Sequence, residues 1–186
     1  MNEEALVIKA RRGDRQAFAQ LVTEHHARLV AAARALVSDA EAAQDISQEA
    51  FIEAYRSLPR LEHPRRFRSW LFSILRHRAL NYLRAAGRID RFVSLEEAED
   101  HPAEPTGAGP SEPFEAIRGK LDRLSVRHQE ILAAKYLEGL SYEEIAQSFG
   151  LSVNAVRVRC HRAKEKLREL LSQDEGLSPA AEGVGP

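Results

Sequence analysis

The chain has 186 residues, 44% of them apolar and 30% charged, and a formal net charge of −1; this is the composition of an ordinary soluble protein with one or two domains and real cores. Cys160 is the only cysteine, which excludes an internal disulfide and a Cys-based zinc site. The start, MNEEALVIKARRGD, carries no apolar signal segment, and no run approaches the roughly eighteen apolar residues of a membrane span, so the expected location is the cytoplasm.

The near-zero total hides a pattern. Ten arginines fall between Arg56 and Arg91, opposed only by Glu62 and Asp90. An acidic stretch follows, and the C-terminal part is basic again. Nucleic-acid binding depends on such local patches and not on totals.

Residues 3 to 92 have an almost wholly helical pattern. Leu6, Val7 and Ala10 give one apolar face, which Gly13-Asp14 breaks. Phe18, Leu21, Val22, Leu29, Val30, Ala33, Leu36 and Val37 continue at helical spacing to Ser38-Asp39. Asp39 can cap a third helix with Ile46, Ala50, Phe51, Ala54 and Leu58 inward, ended by Pro59. Its other face carries Asp45, Gln48 and Glu49, at i, i+3 and i+4, with Ile52 one turn on. A carboxylate and amide patch of this kind suits an Arg-bearing partner helix, and a solvated helix face is the competing explanation.

A fourth helix is expected from about Phe67 to Ala86, with Leu71, Ile74 and Leu75 in the core. It mixes Phe67, Trp70, Phe72 and Tyr82 with Arg66, Arg68, Arg76, Arg78 and Arg84. Rings that stack on bases, set among cations that follow a backbone, are what single-stranded DNA binding needs. Trp70 and Phe72 fit a core role equally well. His77 and Asn81, four apart, share a face able to hydrogen-bond base edges.

Residues 93 to 113 hold four prolines and two glycines among Glu96, Glu97, Glu99, Asp100 and Glu104. With no apolar period they form an expected flexible acidic linker. The helical pattern returns with Phe114, Ile117, Leu121 and Leu124 on one face. Ser125 then caps a helix burying Ile131, Leu132 and Tyr136 or Leu137, with Gly139 as its stop. Ser141 and Glu144 make a capping box, Ile145, Ala146 and Phe149 share a face, and Gly150 supplies a left-handed stop. Ser152 caps the last helix, whose inward positions are Val156, Cys160, Ala163 and Leu167. Two helices around a Gly-centred turn are a helix-turn-helix. The outward face of the second carries Asn154, Arg157, Val158, His161 and Arg162, with Arg159 on its flank, a helix suited to the major groove. The tail after Leu171 is expected to be disordered. Cys160, on the inward face, is expected to be inert, and the seven histidines show no metal-ligand spacing, so no metal or cofactor is expected.

The order of DISQEAFIEAYRSL, FRSWLFSILRHRALNYLR, acidic linker and GLSYEEIAQSFGLS followed by AVRVRCHRAK resembles the extracytoplasmic-function (ECF) sigma factors of bacteria, over about residues 5 to 170. The resemblance implies an all-α chain of two small helical domains. Residues 1–92 would be sigma region 2, 93–113 the linker, 114–172 sigma region 4, and 173–186 a disordered tail. It further implies a non-enzymatic factor that binds core RNA polymerase and directs it to promoters. Asp45, Gln48, Glu49 and Ile52 match the patch for the clamp helices of the β′ subunit. Leu61 matches the loop that holds a flipped base of the minus-ten element. Phe67, Trp70, Phe72, Arg76, His77, Asn81 and Arg84 lie on the surface that reads the melted minus-ten strand. Asn154, Arg157, Val158, Arg159, His161 and Arg162 lie on the helix that reads the minus-thirty-five duplex. An anti-sigma factor is an implied further partner.

Four positions depart from the family pattern, one of them Ser125, which replaces a frequent Pro and is expected to matter little. Asn154 stands where Gly is frequent, Val158 where a small polar residue is common, and His77 where Asn is frequent. Val158 could contact a thymine methyl. A stand-alone helix-turn-helix regulator is the alternative, though it leaves the DISQE patch without a role. A helical hydrolase would need a nucleophile or metal constellation that the sequence lacks.

Overall fold

The structure, a computed structural model, describes residues 2–89 and 113–175. Every regular element among them is helical. In the N-terminal half, α1 (Glu3–Arg11), α2 (Arg15–Leu36), α3 (Ala40–Ser57) and α4 (Phe67–Ala85) follow one another, with short 3-10 turns at Leu58–Arg60 and Pro64–Arg66. The boundaries follow from local chemistry. Gly13 takes φ 95°, and Asp14 then accepts from the amides of Gln16 and Ala17 at 3.0 Å each. Asp39 accepts from Glu41 and Ala42 at 2.9 and 3.0 Å. Each carboxylate satisfies first-turn amides that have no partner within the helix. The proline ring at position 59 ends α3 by removing an amide donor.

The expected inward positions of α3 (Ile46, Ala50, Phe51, Ala54) and Leu58 are all buried. So are Leu71 and Leu75 of α4, while Ile74 packs against the core from a partly buried position.

The C-terminal half comprises α5 (Pro113–Leu121), α6 (Val126–Leu132), α7 (Tyr142–Phe149) and α8 (Val153–Glu175). A π-helical stretch, Ala133–Leu137, continues α6. The Glu138 amide reaches back to the Ala133 carbonyl (3.0 Å), five residues away, and this widened turn sets which side chains face inward. Leu137 therefore packs against the core and Tyr136 is 54% exposed. Ile117, expected on the buried face of α5, is 42% exposed, while Leu121 and Leu124 are buried. The Ser141–Glu144 capping box forms with both bonds present, and Gly150 takes φ 67° as the stop of α7.

Helix α8 outruns its expected end. Residues 172 to 175, assigned from sequence to a disordered tail, continue it. Propagating a formed helix by one turn fixes little extra chain for each hydrogen bond gained, and the Ser172 hydroxyl bonds the Arg168 carbonyl at 3.0 Å. The expected acidic linker and the rest of the tail lie outside the described residues.

The two halves pack on one another through one continuous set of buried side chains, running from Leu6 and Leu21 to Ile131, Leu140 and Val156. Helix α2 touches α5, α6 and the π-helical stretch, and α4 touches α7.

Candidate nucleic-acid and partner interfaces

Asp45, Gln48, Glu49 and Ile52 all emerge on the exposed face of α3. Helical spacing alone brings them together. The structure adds two features to this patch. Arg78 of α4 pairs with the Glu49 carboxylate and reaches Glu53 Oε2 at 2.8 Å, so Glu49 is engaged within the chain while Asp45 and Gln48 face outward. Beside Gln48 and Ile52 runs a groove between α2 and α3 lined by Phe18, Val22, His26 and Tyr55. Tyr55 is 41% exposed and meets the Phe18 ring edge-on at 4.9 Å. Sequence reasoning missed Tyr55 and Phe18 as neighbours of the patch. The i, i+3 spacing of Ile52 and Tyr55 was the signal that could have found the first of them.

The second constellation lies on α4 and the loop before it. His77 and Asn81 are exposed, with Asn81 Nδ2 3.5 Å from His77 Nε2. Asn81 Oδ1 accepts from Arg84 at 2.9 Å. The three therefore form one polar ladder along a helix face. Trp70 is half-buried, its ring 6.0 Å from that of Phe67. The other members sit deeper. Leu61 is buried, and Phe67 and Phe72 show no exposed surface. Phe67 lies inside the N-terminal half, 5.4 Å from the His25 ring. Phe72 and half-buried Arg76 are instead covered by the C-terminal half.

The third is the outer face of α8. Asn154, Arg157, Val158, His161 and Arg162 are all exposed. The Arg157 guanidinium sits 5.6 Å from the centre of the Tyr142 ring, and His161 Nδ1 is 3.2 Å from Glu165 Oε2. Arg159 is half-buried and turns to a cleft shared with Arg127, His128, Val158 and Arg162. Arg127 and His128, on the first turn of α6, were not singled out from sequence. Their nearness to α8 is a tertiary fact with no local pattern behind it. A helix with Arg157 and Arg162 on an open face, backed by a second short helix, can enter a major groove and bring cations to the flanking phosphates.

Burial perturbs two acids. Glu130 is 1% exposed beside Arg76, and burial pushes its carboxyl above the ordinary range against the pull of that guanidinium. Burial likewise raises Glu138, with opposing pulls from His25, Arg68 and Arg28. The same His25 ring, 3.0 Å from Glu3 Oε2, holds the Glu3 carboxyl below its usual value. Among the described residues no three acids, histidines or cysteines are grouped to hold a metal ion, and no helix is long and apolar enough to cross a membrane.

Comparison with known proteins finds a family match in each half of the chain. Residues 21–89 match the Sigma-70 region 2 family, and residues 114–167 match Sigma-70, region 4. The chain is 35% identical to RNA polymerase sigma-H factor of Pseudomonas aeruginosa, over 91% of this chain and 93% of that one. It is 30% identical to the ECF RNA polymerase sigma-E factor of Haemophilus influenzae, over 90% and 94%. Among solved structures it resembles the sigma factor RpoE in complex with the anti-sigma factor NepR from Bartonella quintana. That match has a TM-score of 0.66 and 28% identity, and covers 83% of this chain and 96% of that one.

Proposed function

This chain belongs to the ECF family of RNA polymerase sigma factors, and on that premise we propose a role for each of its three surfaces. It is an alternative sigma factor that directs promoter recognition. Asp45, Gln48, Glu49 and Ile52 dock on the clamp helices of core RNA polymerase, with Tyr55 and the groove beside it extending the contact. Residues 1–92 read the melted minus-ten strand through Leu61, Trp70, Phe72, Arg76, His77, Asn81 and Arg84, while Phe67, enclosed within the N-terminal half, is a core residue beneath that surface. Residues 114–172 read the minus-thirty-five duplex through Asn154, Arg157, Val158, Arg159, His161 and Arg162. The chain carries out no reaction of its own and works in the cytoplasm, where polymerase and promoters are.

The physics supports this division. A groove admits a helix and lets its side chains reach base edges. A melted strand offers ring faces and unpaired edges, which stacking surfaces and polar ladders capture. Unstacking costs a few kcal/mol per step, so strand capture needs polymerase-held contacts to offset it. The observation that carries the proposal is the co-existence on one chain of an exposed DISQE face and a basic helix-turn-helix helix. A stand-alone regulator is not favoured, because it gives the first of these no partner. RpoE binds an anti-sigma factor in its solved structure, and we propose a partner of the same class here.

The deciding experiment is capture of core RNA polymerase by the full chain beside an Asp45→Ala/Gln48→Ala/Glu49→Ala version. Near-stoichiometric capture by the first and loss by the second is the expected result. Absence of capture by the natural chain, with tight duplex binding by the free protein, would return the reading to a stand-alone regulator.

A further inference from the structure

His77, Asn81 and Arg84 follow one another along α4 at i, i+4 and i+7, a stripe about 10 Å long on one helix face. His77 and Asn81 are exposed, and Arg84 is half-buried. The cations beside them are engaged elsewhere: Arg76 pairs with Glu130, and Arg78 with Glu49 and Glu53. Among the described residues no carboxylate pairs with a member of the stripe. Its order comes from hydrogen bonds among its own side chains.

Those bonds have a direction. A guanidinium carries donors only, so the Asn81 atom 2.9 Å from Arg84 is the amide oxygen. The amide nitrogen of Asn81 is thereby turned to His77, 3.5 Å from its Nε2. An amide nitrogen donates and does not accept. The imidazole therefore accepts at Nε2 and carries its proton on Nδ1, because the bond made by one ring nitrogen sets the state of the other. Asn81 Oδ1 and His77 Nε2, the acceptors of the stripe, are both engaged within it. What the exposed pair shows outward is two donors, the Nδ1–H of His77 and the second amide hydrogen of Asn81.

We propose that this donor-only pair reads one guanine of the minus-ten element. On the outer edge of a base, guanine alone presents two neighbouring acceptors, O6 and N7. Adenine and cytosine place an amino donor on that edge, and thymine sets a methyl group beside its single O4 acceptor. Guanine satisfies both donors. An amino group brought against them sets donor against donor, and groups left unpaired cost more than a formed bond returns. Arg84 is a positioning residue, acting on the base through the orientation it gives Asn81. The inference rests on the functional reading above for the strand and adds to it the base that the strand must carry.

Two measurements test it. The first needs no DNA: a long-range proton–nitrogen imidazole spectrum of the labelled full chain at pH 8, with His77 assigned by its absence in His77→Gln. A ring protonated on Nδ1 is expected. Arg84→Ala should return it to the tautomer mixture of free histidine while helical circular dichroism stays unchanged. A ring protonated on Nε2 in the natural chain would overturn the proposal. The second is transcription by core polymerase carrying the chain, on a library randomised across both promoter elements. The selected promoters should share one guanine in the minus-ten element. Placing 7-deazaguanine there, which lacks the N7 acceptor, should lower open-complex formation by about fivefold or more. His77→Phe should lose both the guanine preference and the sensitivity to 7-deazaguanine. No shared guanine, or an equal 7-deazaguanine effect in His77→Phe, would overturn the assignment. No transcription from any library member would overturn the polymerase reading and the base assignment with it, while the imidazole spectrum decides the side-chain ladder separately.

Discussion

Arg78 of α4 reaches Glu53 Oε2 of α3 at 2.8 Å and also pairs with Glu49. One guanidinium therefore ties the acidic face proposed for polymerase to the helix proposed for strand reading. The pairing divides the DISQE residues into two kinds. Asp45, Gln48 and Ile52 are exposed, and among the described residues no other helix engages the Asp45 or Gln48 side chain as Arg78 engages Glu49. Glu49 does both jobs.

Replacing Asp45, Gln48 or Ile52 by Ala should therefore weaken polymerase capture by about 1–2 kcal/mol each, a contact of hot-spot size, and leave the melting temperature within about a degree of the natural chain. Glu49→Ala should lower both. Titration against core polymerase beside thermal melts checks the split; a melting loss in Ile52→Ala as large as that in Glu49→Ala would contradict it.

Arg157→Ala and Arg162→Ala remove exposed cations from α8. If either pairs with a guanine, holoenzyme affinity for a cognate duplex falls by about 1–3 kcal/mol and discrimination at one base relaxes. If it contacts phosphate, affinity falls evenly across sequences and the salt slope shrinks by about one. Competition binding at two salt concentrations separates the outcomes.

Ser141→Ala removes a capping-box acceptor that holds the Glu144 amide at 3.1 Å. The expected loss in unfolding free energy is about 1 kcal/mol. Gly150→Ala forces a side chain into φ 67°, where no neighbour obstructs it, so its cost of about 1 kcal/mol is backbone strain alone. Urea unfolding measures both.

Glu138 is 2% exposed, and burial raises its carboxyl from the ordinary 4.5. The folded state then holds the proton more tightly than the unfolded state. The resulting stability is fully present below pH 4.5 and is lost as pH rises through the raised folded value. Glu138→Gln keeps the backbone carbonyl that Arg68 uses and removes the titration. Its stability relative to the natural chain should improve from pH 4.5 upward, as read by urea unfolding at pH 5 and pH 8. A difference that narrows over that range would refute the assignment.

Cys160 is 1% exposed on the inward face of α8. Iodoacetamide should modify it at least about 100-fold more slowly in the native chain than in urea. Reaction at the free-thiol rate without unfolding would instead point to a redox role.

Much of this was legible locally. The Asp14, Asp39 and Ser141 caps, the Gly150 stop and the inward face of α3 all depend on residues within a turn or two of one another, and helical periodicity reports such relations directly. The DISQE face and the basic face of α8 were legible for the same reason. Ile117 was misplaced because its helix has few neighbours to bury it, and the choice between Tyr136 and Leu137 stayed open because a π-helical stretch shifts side-chain phase without any residue type that announces it.

What the sequence determined by itself is the set of helices and the chemistry each face displays, since both arise from short-range spacing. Only the tertiary structure decided which faces are open. Phe72 and Arg76 look like free strand-reading groups on α4, but Phe149 and Glu130 cover them from 77 and 54 residues away. No periodicity encodes that meeting. It depends on burial shared between two halves, whose combined apolar surface finds one arrangement only when both are folded.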